Sequence, residues 1–216
     1  MAEIRRQSPV RFKATPLKSE KRDHWDVVLE YNEEGDGPWL VDLSHKIRWD
    51  LQNGEIDRLS VGELAVPVTA GQCILAGRRL INRMNATQVS IYHLGADAPE
   101  MPDGSGYTDV TEATLCVALF GPQTFQVAEK LTSLDFMDSA KQPPFLLQGP
   151  FCNVPCQIVI LEKEDNDYSG FLLTCSRGYG ESMVDAILDA GASFGLTPAG
   201  EKRFNLWLKG LQKKYS

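Results

Sequence analysis

The chain has 216 residues, with 22 Lys plus Arg against 29 Asp plus Glu and a formal net charge of −7 at pH 7. That length suits one large domain or two small lobes, and a hydrophobic fraction of 43% is ample for a core. The acidic balance excludes bulk attraction to nucleic acid or to an anionic membrane surface, and no apolar run approaches the roughly 20 residues of a membrane helix.

The first 22 residues are polar, carry Pro9 and Pro16, and read as an N-terminal arm. Their opening, Met1-Ala2-Glu3-Ile4-Arg5-Arg6-Gln7, lacks the apolar stretch that export requires, so a cytoplasmic location is expected. Residues 25–31 alternate as a strand does, and the acidic Gly/Pro turn 32–38 follows. Residues 39–42 read as a strand, and 44–51 continue extended up to the turn signal Gln52-Asn53-Gly54. A short helix is expected over 58–64. Residues 73–76 are a brief apolar stretch, and 89–94 are strand-like in their β-branched and aromatic content. Residues 96–106 hold two prolines and two glycines without periodicity and read as a linker or loop.

The second half is cleaner. Residues 115–120 form an unbroken apolar run, as in a strand buried on both faces. Gly121 ends it, Pro122 is expected at the first helical position, and Phe125, Ala128 and Leu131 recur at helical spacing. Strands are expected over 145–147, 157–161 and 168–175, with a charged turn over 162–167. Helices are expected over 178–190, with Met183, Ala186, Ile187 and Ala190 on one face, and over 201–213, with Phe204, Leu208 and Leu211 as its stripe. Residues 114–190 thus read β-α-β-β-β-α, an α+β lobe.

The odd number of cysteines, five, argues against a disulfide framework. Cys152 and Cys156 are half of a metal site at most, so no metal is expected. Asp42-Leu43-Ser44-His45 places three catalytic residue types side by side, but a triad is assembled in space, and these read as structural. His93, at the end of an apolar strand, reads as a hydrogen-bonded histidine, and the four tryptophans as core or interface anchors.

Three segments resemble the glycine-cleavage T-protein (aminomethyltransferase) superfamily. Trp39-Leu40-Val41-Asp42-Leu43-Ser44-His45-Lys46 is similar to its Asp-(hydrophobic)-Ser-His stretch. Residues 109–123 are similar to its Leu-Gln-Gly-Pro junction, with Phe120 in the Gln place, and 178–196 resemble the helix that follows its Gly-Glu-Asp-Gly motif. In length and in the opening Arg6-Gln7-Ser8-Pro9, the chain is closer to the sarcosine oxidase gamma subunit.

The resemblance implies an α+β fold of two ferredoxin-like, antiparallel-sheet lobes like the folate-binding part of T-protein, without the C-terminal barrel. The lobes would be 23–108 and 109–216, joined in one compact unit after the arm 1–22. It makes tetrahydrofolate the candidate cofactor and a larger flavoprotein or methyltransferase subunit the expected partner, with no nucleic acid and no membrane. The family's essential carboxylate lies in Gly-Gly-(hydrophobic)-(hydrophobic)-Asp-Asp. The matching stretch here is Arg78-Arg79-Leu80-Ile81-Asn82-Arg83. Asn82 cannot titrate and Arg83 stays protonated, so no catalytic residue is assigned. Glu164-Asp165-Asn166-Asp167 stands where Gly-Glu-Asp-Gly would be, without the glycines.

Arg79, Asn82, Arg83, Asn85 and Gln88 are a dense run of guanidinium and amide groups. With Arg203, in the place of a later folate-contacting Arg, they are the candidate ligand-binding residues. They suit a carboxylate-bearing ligand such as a folate tail, or they satisfy backbone groups of a loop and strand edge. The leading expectation is an accessory, non-catalytic subunit of a one-carbon or methylated-amine complex. The alternatives are a stand-alone tetrahydrofolate-dependent aminomethyl or methyl transferase, and a folate-like small-molecule binding protein.

Overall fold

The computed structural model describes residues 5–104, 106–165 and 167–214. Residues 1–4 of the opening and Asn166 of the acidic turn lie outside the described residues. The chain begins with a hairpin of β1 (Pro16–Arg22) and β2 (Trp25–Tyr31), so the end of the polar arm is a paired strand. β3 (Trp39–Asp42), β4 (Arg48–Gln52) and two short strands, β5 (Ser60–Val61) and β6 (Leu64–Ala65), come next. β7 (Cys73–Ala76), β8 (Arg79–Arg83) and β9 (Gln88–His93) form a meander, and β10 (Tyr107–Asp109) follows a loop. The remainder is β11 (Thr114–Phe120), α1 (Thr124–Glu129), β12 (Phe145–Phe151), β13 (Val154–Glu162), β14 (Gly170–Ser176), α2 (Gly180–Gly191), β15 (Thr197–Ala199) and α3 (Glu201–Lys214).

Two main sheets result. One has the order β10-β4-β9-β8-β7, and the other β12-β13-β14-β11-β3-β15. All pairs in them are antiparallel except β15 with β3. β3, from the first half of the chain, is zipped onto β11 with Phe120 opposite Trp39.

β11 explains the layering. Leu115, Val117 and Leu119 face the apolar sides of α1 and α2, where Met183, Val184 and Ile187 pack. Cys116, Ala118 and Phe120 face the other way, into a core shared with Leu80 and Tyr92 of the five-stranded sheet and with Phe204, Trp207 and Leu208 of α3. Alternation along a strand buried on both faces produces both cores from one apolar run. Phe120 stacks on Trp207 at 4.6 Å between ring centroids. The outer face of the five-stranded sheet carries Trp49, Ile81 and Ile91, covered by Ile56, Val61 and Val66.

Three local expectations are corrected. Residues 58–64 are not a helix. A 3-10 turn, Ile56–Arg58, leads into the β5–β6 hairpin, which turns at Gly62 with φ +63°, a conformation that a helix interior does not use. Residues 44–47 are a turn rather than extended chain, because the Ser44 amide bonds back to Asp42 Oδ1 at 2.9 Å. Pro122 precedes α1 by two residues, since Gln123, with φ 62°, inserts a left-handed turn between Gly121 and the helix.

Besides the Arg48–Thr114 contacts between β4 and β11, a buried hydroxyl ties the two sheets. Tyr92 Oη lies 3.0 Å from Thr174 Oγ1 and 3.3 Å from Gln157 Oε1. Burial pushes the phenol pKa up, so it remains a neutral donor. Tyr92→Phe leaves those partners without it and is expected to cost about 1–2 kcal/mol in urea unfolding. A midpoint equal to that of the wild type would show that this contact adds nothing to stability.

Candidate functional site

The six predicted ligand residues do not converge on one pocket. Because successive side chains alternate, β8 sends Asn82 to the face turned toward the six-stranded sheet and sends Arg79 and Arg83 to the opposite face. Asn82 is fully buried. Its Nδ2 donates to Ser90 Oγ at 3.1 Å, and its Oδ1 has no protein partner. Gln88 shares that face and donates to Asp50 Oδ2 at 3.1 Å. Burial raises the Asp50 pKa against the opposing effect of the Gln88 hydrogen bond. Asp50 is in register with Ser90, which in turn pairs with Asn82, so it stands two strands away, about 10 Å by strand spacing.

Arg83 is occupied. Its Nη2 lies 2.8 Å from Asp57 Oδ1 and also donates to the Ala86 carbonyl, while its Nε donates to the Asn85 carbonyl at 2.6 Å. Asn85 caps its own turn, its Oδ1 accepting from the Thr87 amide at 2.9 Å. Arg203 stands apart on α3, with Nε 3.2 Å from Glu34 Oε2 and its guanidinium 4.8 Å above the Trp39 ring. Arg79 pairs across the sheet with His93, and both line a cleft of about 600 Å³ between the β5–β6 hairpin and the β9 end.

His93 packs against Trp49, with ring centroids 4.3 Å apart. Its Nε2 is buried without a protein partner, contrary to the hydrogen bond expected of it. Burial first, and then the Arg79 charge, lower its pKa from the ordinary 6.5 to about 4. Between those values the unfolded ring holds a proton that the folded ring does not, so stability falls as pH drops from 6.5 toward 4. Buried His45, also shifted downward, adds a fall of the same sign. Urea midpoints measured from about pH 7 to about pH 4 are expected to fall less in His93→Gln than in the wild type. Parallel profiles would contradict this.

Sequence reasoning missed a buried charge cluster. Glu201, at the start of α3, meets Arg22 at the end of β1 and His45 and Lys46 in the turn before β4. Its partners lie far away in the chain, and nothing in the local sequence marked it. Asp42, Ser44 and His45 do not form a triad. Asp42 Oδ2 accepts from Ser8, Ser44 Oγ lies against the Cys116 backbone, and His45 Nε2 faces Glu201 at 3.4 Å. Among the described residues no group of three or more His, Cys, Asp and Glu could hold a metal, and no helix is long and apolar enough to cross a membrane.

No family model matches the sequence, and no curated protein matches it significantly. Solved structures do. A chain of heterotetrameric sarcosine oxidase from Corynebacterium sp. U-96 matches with a TM-score of 0.58 at 14% identity, over 72% of this chain and 84% of that one. The glycine cleavage system aminomethyltransferase T from Bartonella henselae matches with a TM-score of 0.58 at 17% identity, over 86% of this chain. This is the T-protein fold. The chain spans only 56% of that aminomethyltransferase, and its described residues form an α+β, antiparallel-sheet structure with no barrel among them. On the β8–β9 hairpin, Asn82 is sealed from solvent.

Proposed function

We propose that the chain is an accessory, non-catalytic subunit of a one-carbon or methylated-amine enzyme complex in the cytoplasm, seated beside a larger flavoprotein or methyltransferase subunit. The observation that carries this is Asn82. At the position that the resemblance gives to a carboxylate, it offers a buried amide bonded to Ser90, which cannot accept a proton from an amine. Its neighbour Arg83 is a permanent cation tied to Asp57 and two carbonyls. Asp50, the carboxylate in the same cross-strand row, is held by Gln88.

The fold likeness supports the partner. Coverage reaches 84% of the sarcosine oxidase chain but 56% of the aminomethyltransferase. Tetrahydrofolate remains the cofactor proposed for the assembled complex, where the neighbouring subunit would supply the chemistry.

The test is turnover by the isolated chain, supplied with tetrahydrofolate and a methylated amine. The expected result is no one-carbon transfer above the uncatalysed rate. Transfer that disappears in Asn82→Ala would establish the stand-alone transferase instead.

A further inference from the structure

Among the described residues, five buried side-chain nitrogens or oxygens lack a protein partner. Two of them, Arg79 Nε and His93 Nε2, belong to directly paired residues on β8 and β9, and both residues line the same cleft of about 600 Å³. Buried polar groups are normally satisfied, and a cleft of this volume is of the size that takes small molecules. Arg79 spends Nη1 on the Val61 carbonyl at 3.2 Å, which fixes the guanidinium and leaves Nε unused. A fixed guanidinium with unused N–H groups suits a carboxylate. The His93 ring, uncharged at neutral pH, can carry its proton on Nε2 and donate beside it. The same cleft is lined by Arg78, whose Nη1 donates to Asn205 Oδ1 at 2.6 Å, and by two exposed carboxylates, Glu63 and Asp97. They repel a second negative charge and attract a positive one.

We propose that this cleft binds a small zwitterionic acid of the amino-acid type, its carboxylate on Arg79 Nε and His93 Nε2 and its ammonium toward Glu63 and Asp97. The site lies on the sheet face opposite Asn82, so it is independent of the accessory-subunit reading and survives if that reading fails.

The test titrates the full chain with 4-aminobutanoate and with glutarate, which share a carboxylate and differ in the charge of the far end. Binding is followed by calorimetry and by the fluorescence of Trp49, which packs on His93. Saturable binding of 4-aminobutanoate is expected, tighter than that of glutarate. It should weaken at least about tenfold in Arg79→Met and stay unchanged in Arg58→Met, whose guanidinium is on the exposed surface. A second measurement needs no Arg79 variant: the nitrogen resonance of His93 Nε2, assigned by its loss in His93→Gln, should move on saturation of the wild-type chain. The proposal is overturned by absence of saturable 4-aminobutanoate binding, by equal binding in a folded Arg79→Met, by tighter binding of glutarate, or by an unmoved His93 signal.

Discussion

Glu201→Gln is expected to lower the unfolding free energy by about 3–5 kcal/mol, because it strips the carboxylate from buried Lys46 and half-buried Arg22. Glu201 and Lys46 side chains are each 2% exposed. Glu201 Oε1 accepts from Lys46 Nζ and from Arg22 Nη1 at 2.9 Å, and Oε2 accepts from Arg22 Nη2 at 2.8 Å. Glutamine offers one neutral amide oxygen in place of the carboxylate, so Lys46 is left with that oxygen and the Gly95 carbonyl, at 2.6 Å, and no counter-charge from residue 201. The cluster also pins β1, the turn before β4 and α3 to one point, so its loss loosens three elements together. Burial raises the Glu201 pKa, but the hydrogen bonds from His45 and Arg22 and the Lys46 charge outweigh it and hold the carboxyl well below the usual carboxylate range. A depressed acid stabilises the fold at pH values above its unfolded pKa and loses that contribution only as pH falls through its folded value. The deficit of Glu201→Gln should therefore be full at neutral pH and shrink in strong acid. Urea unfolding checks this through a lowered midpoint at unchanged slope, and a change under about 0.5 kcal/mol would place the residue with ordinary surface sites.

Arg48→Met is expected to be comparably damaging, for a different reason. Arg48 is 1% exposed, and among the described residues no carboxylate is one of its hydrogen-bond partners. Its guanidinium instead collects the carbonyls of Leu43, Ser44, Lys46, Thr111 and Thr114, with the shortest contact 2.7 Å to Thr111. It thereby closes the turn after β3 and fastens it to the segment before β11. Methionine fills the space and leaves those carbonyls without their donor, at about 1–3 kcal/mol for each one that stays dry, so a loss of about 3–5 kcal/mol follows if only some of them recover water. Arg48→Lys should restore little, since an ammonium has three donors and cannot span the planar fan of acceptors. Full rescue by lysine would show that charge alone matters here.

The contrast between β11 and these two residues shows what the sequence could reveal. Residues 115–120 were legible because burial on both faces demands an unbroken apolar run, and one element carries that signal by itself. The amphipathic α2 was legible for the same local reason. Glu201 and Arg48 were not, because their partners lie up to 179 and 66 positions away, and a buried charge looks like any surface charge until its partners are seen. The 3-10 turn and hairpin in place of a helix near residue 60 hinge on Gly62, whose left-handed backbone is visible only in space. The candidate site divided in a similar way. The polar density of residues 78–88 was plain, but the period of two in β8 separates Asn82 from Arg79 and Arg83, and Arg203 belongs to the Glu34–Trp39 contact.

A chain that works as a subunit, as proposed, is found with its partner. The most direct measurement is native mass spectrometry of the tagged chain, purified from its own cells at its natural expression level. The expected result is a complex of fixed stoichiometry with a flavin-bearing or methyltransferase subunit. A chain recovered wholly as a free monomer that carries out one-carbon transfer alone would contradict it.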